Sequence, residues 1–123
     1  MIRHMLIVGA GSFVGGALRY YLSTLIKGCC NGSFPWGTLM VNLVGCLVFG
    51  VLFALFHRWG TEHSTWCLLL TTGLCGGFTT YSTFANESMQ MLQVGNIAGF
   101  ATYIAASLLL GLACIALGYW IAG

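Results

Sequence analysis

The chain has 123 residues, of which 59% are hydrophobic and only 5% are charged. A soluble domain averages about 25% charged residues, so a chain this apolar has too few polar groups to cover a surface in water. The net charge of +2 is too small and too scattered for a nucleic-acid surface, and the composition instead predicts one membrane domain over residues 1–123.

Four apolar segments are each long enough to cross the hydrocarbon core, which needs about 20 helical residues. They lie at about 5–26, 36–56, 66–91 and 97–121 and predict an all-α membrane protein with four transmembrane helices. Polar connectors separate them, and the first connector carries turn residues such as Asn31 and Pro35. Tryptophans at the predicted ends match the interfacial aromatic belt of membrane helices: Trp36, Trp59, Trp66 and Trp120.

The first segment contains several glycines, among them Gly9, Gly11 and Gly15, which favour close packing against a neighbouring helix. Its stretch GAGSFVGG does not fit a dinucleotide-binding loop. The segment lacks a small-residue cleavage pattern before Arg19, so we expect it to be retained as a span. Arg19 lies near the end of this span, where it either extends to water or lines a positively charged entrance.

Positive charge gives the chain almost no preferred orientation in the membrane. Arg3 and Arg58 lie on one side, and Lys27, with Arg19 near a span end, lies on the other. A chain of this kind can insert both ways and pair with its inverted twin. The alternative is that a single arginine settles the topology.

Polar residues recur at helical spacing within three spans, where polar groups are costly and mark candidate functional positions. They are Thr38 and Asn42 in the second span, Thr79, Thr83 and Glu87 in the third, and Tyr103 and Ser107 in the fourth. One such residue alone indicates an interhelical hydrogen bond worth about 1 kcal/mol. Together, an amide, several hydroxyls and aromatic ring edges suit an anion.

The third span contains CGGFTTYSTF at residues 75–84, which fits neither a regular helix nor a strand. Adjacent Gly76 and Gly77 favour a helix break, predicted near Gly76 to Thr80. At such a break, freed carbonyls can bind a cation and the next half-helix begins with free amides. A packing kink without a ligand is the alternative.

The six cysteines show no CxxC or Cys/His metal-site spacing, and most lie in apolar runs as ordinary buried thiols. No nucleophile and base pair is visible either, so the sequence does not predict an enzyme.

These motifs together resemble the Fluc (CrcB) family of fluoride channels over nearly the whole chain. The matching stretches are GGALRY, WGTLMVNLVG, GLCGGFTTYSTF followed by Glu87, and YIAAS. The resemblance implies an antiparallel, dual-topology homodimer with two pores, which passes fluoride passively out of a microbe through its inner membrane.

The resemblance also implies roles for individual residues. The pore residues would be Asn42, Thr38, Tyr81, Ser82, Thr83, Phe84, Tyr103 and Ser107. Backbone carbonyls of Gly76 and Thr79 from both subunits would hold a structural sodium ion, and Arg19 would lie at the vestibule. Tyr81 departs from the family pattern, which most often has phenylalanine there.

A competing interpretation is a proton-coupled exporter of the small multidrug resistance type, which is also short and four-spanning. That class needs a carboxylate in its first span, and this chain has none there. A third interpretation is an assembly subunit that transports nothing.

Overall fold

The computed structural model describes residues 1–29, 32, 34–61 and 63–123. Their backbone forms helices α1 (Ile2–Cys29), α2 (Trp36–Arg58), α3 (Thr65–Cys67), a π-helix π1 (Leu68–Cys75), α4 (Gly76–Phe78), α5 (Ser82–Gln93) and α6 (Ile97–Ala122). The turn residue Asn31 and the charged residue Glu62 lie outside the described residues.

Three helices, α1, α2 and α6, are long and apolar enough to cross a membrane. Their 28, 23 and 26 residues correspond to lengths of about 42, 34 and 39 Å at about 1.5 Å per residue. The predicted helical membrane fold is therefore confirmed. The third predicted span, however, is not a continuous helix, because it is assembled from residues 65–78 and α5.

The break in this third segment begins later than the two glycines. The helix continues through Phe78, the backbone becomes extended at Thr79 (φ −81°, ψ 159°), and helix resumes at Ser82. The prediction was right for Thr79 and Thr80 and wrong for Gly76 and Gly77, which are helical.

Close packing on α1 explains the glycine at position 77. A Cβ added at Gly77 would lie 2.6 Å from the Cα of Ser12 in α1, so the residue must be small for the two helices to approach. The local pattern thus indicated a break at a place where a tertiary contact requires a glycine.

Helix α1 packs along residues 65–78 through small residues on both sides. A Cβ at Gly11 would lie 2.6 Å from the Leu69 carbonyl oxygen, and one at Gly15 would overlap the Leu74 carbonyl. The Ser12 hydroxyl donates to the Gly73 carbonyl at 3.2 Å. The packing role predicted for glycines in the first span is confirmed at Gly11 and Gly15 but not at Gly9, where no described atom lies within 4 Å.

Helices α2 and α6 run side by side in the same direction and form the most extensive helix contact in the described chain. A Cβ at Gly50 would lie 2.5 Å from the Ile115 carbonyl oxygen. At the far end, Arg58 donates from Nη1 to the Ala122 carbonyl at 3.5 Å. Helix α5 packs more sparsely, mainly on α6. Much of α5 therefore remains exposed in a single protomer.

Candidate functional site

Asn42, in the middle of α2, holds the backbone of the break. Its Nδ2 donates to the Thr80 carbonyl at 3.0 Å, and the Thr80 N–H donates to its Oδ1 at 2.8 Å. In a continuous helix that N–H would bond to the carbonyl of Gly76. The side chain thus supplies both partners that Thr80 loses when the helix stops, and one Nδ2 hydrogen remains for another acceptor.

Arg19 lies at the end of residues 65–78. Its Nε donates to the Gly77 carbonyl at 3.3 Å, and the side chain is half-buried. A positive charge is favourable there because the last carbonyls of a helix carry partial negative charge. The structure therefore places Arg19 against the break, and its role at a vestibule stays a prediction.

Helix α5 begins with a hydrogen bond to the side chain of Thr80. The Thr83 N–H donates to Oγ1 of Thr80 at 3.4 Å, and the Ala85 N–H donates to the Tyr81 carbonyl at 2.9 Å. A regular helix would instead pair the Thr83 N–H with the carbonyl of Thr79. Thr80 and Thr83 are therefore joined by a hydrogen bond that a regular helix does not contain.

The carbonyls of Gly76 and Thr79 both lose their helical partners in this arrangement, because the amides of Thr80 and Thr83 turn elsewhere. Carbonyls of unwound helix ends are the groups that coordinate Na⁺ in membrane proteins, so the donor set fits the predicted cation. Two oxygens fall short of the roughly six to eight that hard cations such as Ca²⁺ take. The guanidinium at Gly77 is a nearby positive charge that opposes a cation.

Aromatic rings form a row from α5 to α6 beside the break. The ring centroids of Tyr81 and Phe84 are 6.3 Å apart, and those of Phe84 and Tyr103 are 4.9 Å apart with planes tilted by 56°. Tyr81 is 81% exposed, whereas Phe84 is half-buried. Ring edges carry partial positive charge, so the ring of Tyr81, the exposed member of this row, can face an anion.

Ser82 and Thr83 lie in the first turn of α5, directly after Tyr81, which is the first ring of this row. Ser82 is exposed and Thr83 is half-buried. The structure therefore brings the predicted hydroxyls and ring edges of residues 81–84 onto one short segment.

Tyr103 connects α6 to a carboxylate. The side chain is fully buried, and its hydroxyl donates to Oε1 of Glu87 at 3.1 Å. The Thr38 side chain of α2 is buried as well. Because the Tyr103 proton is directed to Glu87, it is not available to an anion in this arrangement.

Glu87 is the site residue whose partner the sequence did not reveal. The four-residue row of Thr79, Thr83 and Glu87 indicated that it follows a polar face, which was the available signal. Spacing within one helix carries no information about which residue of another helix faces it.

Ser107 lies one turn beyond Tyr103 on α6. Its Oγ is buried and has no hydrogen-bond partner among the described residues. An unpaired buried hydroxyl costs about 1–3 kcal/mol, so the position suits a polar guest. Among the predicted pore residues, Ser107 has the hydroxyl that is both enclosed and uncommitted.

A cavity of about 500 Å³ opens between the connector before α2 and the last turns of α5. Lys27, Trp36, Glu87 and Gln90 are among its lining residues. Glu87 thus links this cavity to Tyr103, whereas Arg19 does not line it.

Comparison with known proteins gives one consistent result. The model of a family described as CrcB-like protein, Camphor Resistance (CrcB), matches residues 6–119. A protein of Phocaeicola vulgatus named Fluoride-specific ion channel FluC is 43% identical over 119 residues, covering 97% of this chain and 98% of the relative. Proteins of the same name from Leptospira interrogans and Nitratidesulfovibrio vulgaris are 37% and 38% identical, covering 96% and 95% of this chain and 93% and 94% of the relatives.

Proposed function

Since this chain belongs to the CrcB family, we propose that it forms a fluoride-selective channel through which fluoride leaves the cell passively. The observation that carries the proposal is the near full-length similarity to proteins named as fluoride-specific ion channels. The chemistry of the break and of the row of rings beside it agrees with that similarity.

Fluoride is small and tightly hydrated, so a pore must replace its water with donors without holding the ion too firmly. Neutral donors and ring edges meet both conditions. Residues 81–84 offer them at the start of α5, where the first two side chains are exposed and the next two are half-buried, and the unpaired Ser107 hydroxyl offers one on α6. The remaining Nδ2 hydrogen of Asn42 is a further donor beside the break.

The charged groups near the proposed fluoride path form hydrogen bonds within the protomer. The Arg19 guanidinium donates to the Gly77 carbonyl, and the Glu87 carboxylate accepts from Tyr103. A fixed, unpaired positive charge at the narrowest point would trap the anion. Pairing Arg19 with a carbonyl softens its field, which is consistent with conduction.

The proposal includes an antiparallel homodimer in the inner membrane, with two pores and a central sodium ion. Gly76 supports it, because the residue is exposed in one protomer and the only described atom near an added Cβ would be the Thr71 carbonyl oxygen, at 4.0 Å. A glycine facing open space in an apolar helix permits the close approach of another helix. Carbonyls of Gly76 and Thr79 from two protomers would then offer four oxygens, where one protomer offers two.

Purified protein in liposomes tests the channel directly. With a potassium ionophore added so that potassium efflux balances the charge, vesicles loaded with potassium fluoride should release fluoride to an ion-selective electrode, and vesicles loaded with potassium chloride should retain chloride. Phe84→Ile should stop the release because it removes a ring edge from the row. Phe100→Ile is the matched control, since Phe100 packs against the same buried cluster from α6 but lies outside the row.

Retention of fluoride by vesicles containing folded wild-type protein would end the channel proposal.

The exporter alternative gains no support from the chain. Helix α1 carries no carboxylate, and Glu87 is engaged by Tyr103. Loss of the protein should therefore sensitise cells to fluoride and leave their sensitivity to cationic dyes unchanged.

A further inference from the structure

The cavity of about 500 Å³ before α2 has side chains of both charges in its wall. Glu87 is half-buried there, and Lys27, near the end of α1, is exposed. Among the described residues, no ion pair joins these two side chains, and Lys27 has no hydrogen-bond partner. The cavity therefore presents a negative and a positive group that do not pair with each other.

The carboxylate of Glu87 keeps one oxygen for a guest. Its Oε1 accepts the hydrogen bond from the Tyr103 hydroxyl at 3.1 Å, which leaves Oε2 for another donor. A charge that is withdrawn from water is costly unless an opposite charge and hydrogen bonds accompany it. An ammonium group in the cavity would supply both to Glu87.

Aromatic rings continue the wall of the cavity from this carboxylate. The ring centroid of Phe34 lies 5.6 Å from that of Tyr103 and 4.7 Å from that of Trp36. Phe34 and Trp36 both line the cavity, and Trp36 is 44% exposed. The faces of aromatic rings attract an ammonium ion, so these rings and the carboxylate suit the same group.

Lys27 decides what else the ligand must carry. A simple ammonium ion would be repelled by this side chain, whereas a ligand that also has a phosphate would bind it. Lys27 lies in the last turn of α1 and Trp36 begins α2, so the cavity lies where these two spans meet the membrane surface. Phospholipid headgroups occupy that depth.

We propose that this cavity binds a phosphoethanolamine group. Its primary ammonium donates to Oε2 of Glu87 beside the rings of Phe34 and Trp36, and its phosphate accepts from Lys27. A quaternary ammonium, as in phosphocholine, has no N–H to donate and satisfies the carboxylate less well. The group belongs either to a phospholipid or to a soluble molecule, and its binding requires no ion flow through the protein.

Native mass spectrometry of the purified full-length protein tests the site. In one arm, the protein is mixed with equal amounts of a phosphatidylethanolamine and a phosphatidylcholine whose acyl chains give them distinct masses. In the other arm, it is mixed with soluble phosphoethanolamine and phosphocholine. A preference for the ethanolamine form in the first arm alone identifies a lipid headgroup as the ligand, and a preference in the second arm identifies a soluble ligand as sufficient.

The wild-type protein should carry about tenfold more of the ethanolamine form, because only that form donates a hydrogen bond to a charged group. Glu87→Gln keeps an acceptor for Tyr103 and should remove this preference. Lys27→Gln should lower the binding of both forms, since both contain phosphate. Arg3→Gln is the matched control: Arg3 is an exposed cation near the other end of α1, so its loss should change neither result.

Equal binding of the ethanolamine and choline forms by the folded wild-type protein in both arms would overturn the proposal. A preference that survives Glu87→Gln, or phosphate binding that is unchanged in Lys27→Gln, would also overturn it. The comparison of the two headgroups uses the wild-type protein, so it decides the question even where a variant fails to fold.

Discussion

The side-chain amide of Asn42 holds the backbone of the break through two hydrogen bonds. It pairs with both backbone groups of Thr80, so its loss leaves a donor and an acceptor unpaired in a partly buried position. Each unpaired group costs about 1–3 kcal/mol. Asn42→Ala should therefore lower the free energy of unfolding by about 2–6 kcal/mol, which thermal or denaturant unfolding in detergent measures.

Asn86→Ala is the matched control for that change. Asn86 is an exposed amide on α5, so its removal should change stability little. Asn42→Asp should fall between the two, because it keeps the acceptor for the Thr80 N–H and loses the donor. Equal stability of Asn42→Ala and Asn86→Ala would show that the amide does not hold the break.

Tyr81 differs from Phe84 in exposure, and this difference predicts different tolerance to substitution. Tyr81→Phe keeps the ring edge and removes a hydroxyl from an 81% exposed side chain. Fluoride release from liposomes should stay within a few-fold of wild type, whereas Phe84→Ile should abolish it. Loss of release in Tyr81→Phe would instead make the hydroxyl an essential donor.

The sequence predicts which residues lie together at the site only where those residues are close along the chain. Residues 79–84 were placed together because one short segment contains them. Helical spacing grouped Thr79 with Thr83 and Glu87, but Thr79 lies in extended backbone before α5 begins. The hydrogen bond from Tyr103 to Glu87 depends on how separate helices rotate against each other. Periodicity within each helix leaves that rotation undetermined.

At the scale of elements, the close contact between α1 and residues 65–78 positions the break. Gly15 has no room for a side chain, because an added Cβ would overlap the Leu74 carbonyl. Gly15→Ala should destabilise the protein by about 1–3 kcal/mol through overpacking. Gly9→Ala on the same helix meets no described atom within 4 Å and should be neutral.

Both changes are measured by thermal unfolding of the purified protein and by its elution as a single species. If Gly9→Ala destabilised the protein as much as Gly15→Ala, the effect would come from alanine within α1 and not from the contact between α1 and residues 65–78.

The contact between α1 and residues 65–78 also explains why the predicted break began too early. Glycine favours a helix break locally, yet here Gly77 is required by its neighbour Ser12.

The π-helix Leu68–Cys75 is the element that sequence did not indicate. Its composition differs little from an ordinary apolar helix, because leucine and threonine give no signal for the wider turn. Such segments are rare and are frequently found at functional sites. Here π1 directly precedes α4 and the break, and it contributes the carbonyl of Gly73 to Ser12.

For the whole molecule, positive charge is nearly balanced between the two membrane sides of the predicted spans. This balance predicts insertion in both orientations. Tags on the N-terminus and on the C-terminus of separate full-length proteins should each be accessible from both membrane faces, in roughly equal amounts. Protease or impermeant label added to intact cells and to inverted vesicles measures this. Access from one face alone would contradict the antiparallel dimer.

The central claim is selective, passive conduction of fluoride, and the reversal potential in a planar bilayer tests it most directly. With a tenfold fluoride gradient and equal chloride on both sides, current through the purified protein should reverse at about 59 mV, the value for one monovalent ion. A current that reverses near zero under these conditions would contradict the account, because it would show that chloride, which has no gradient, carries the current.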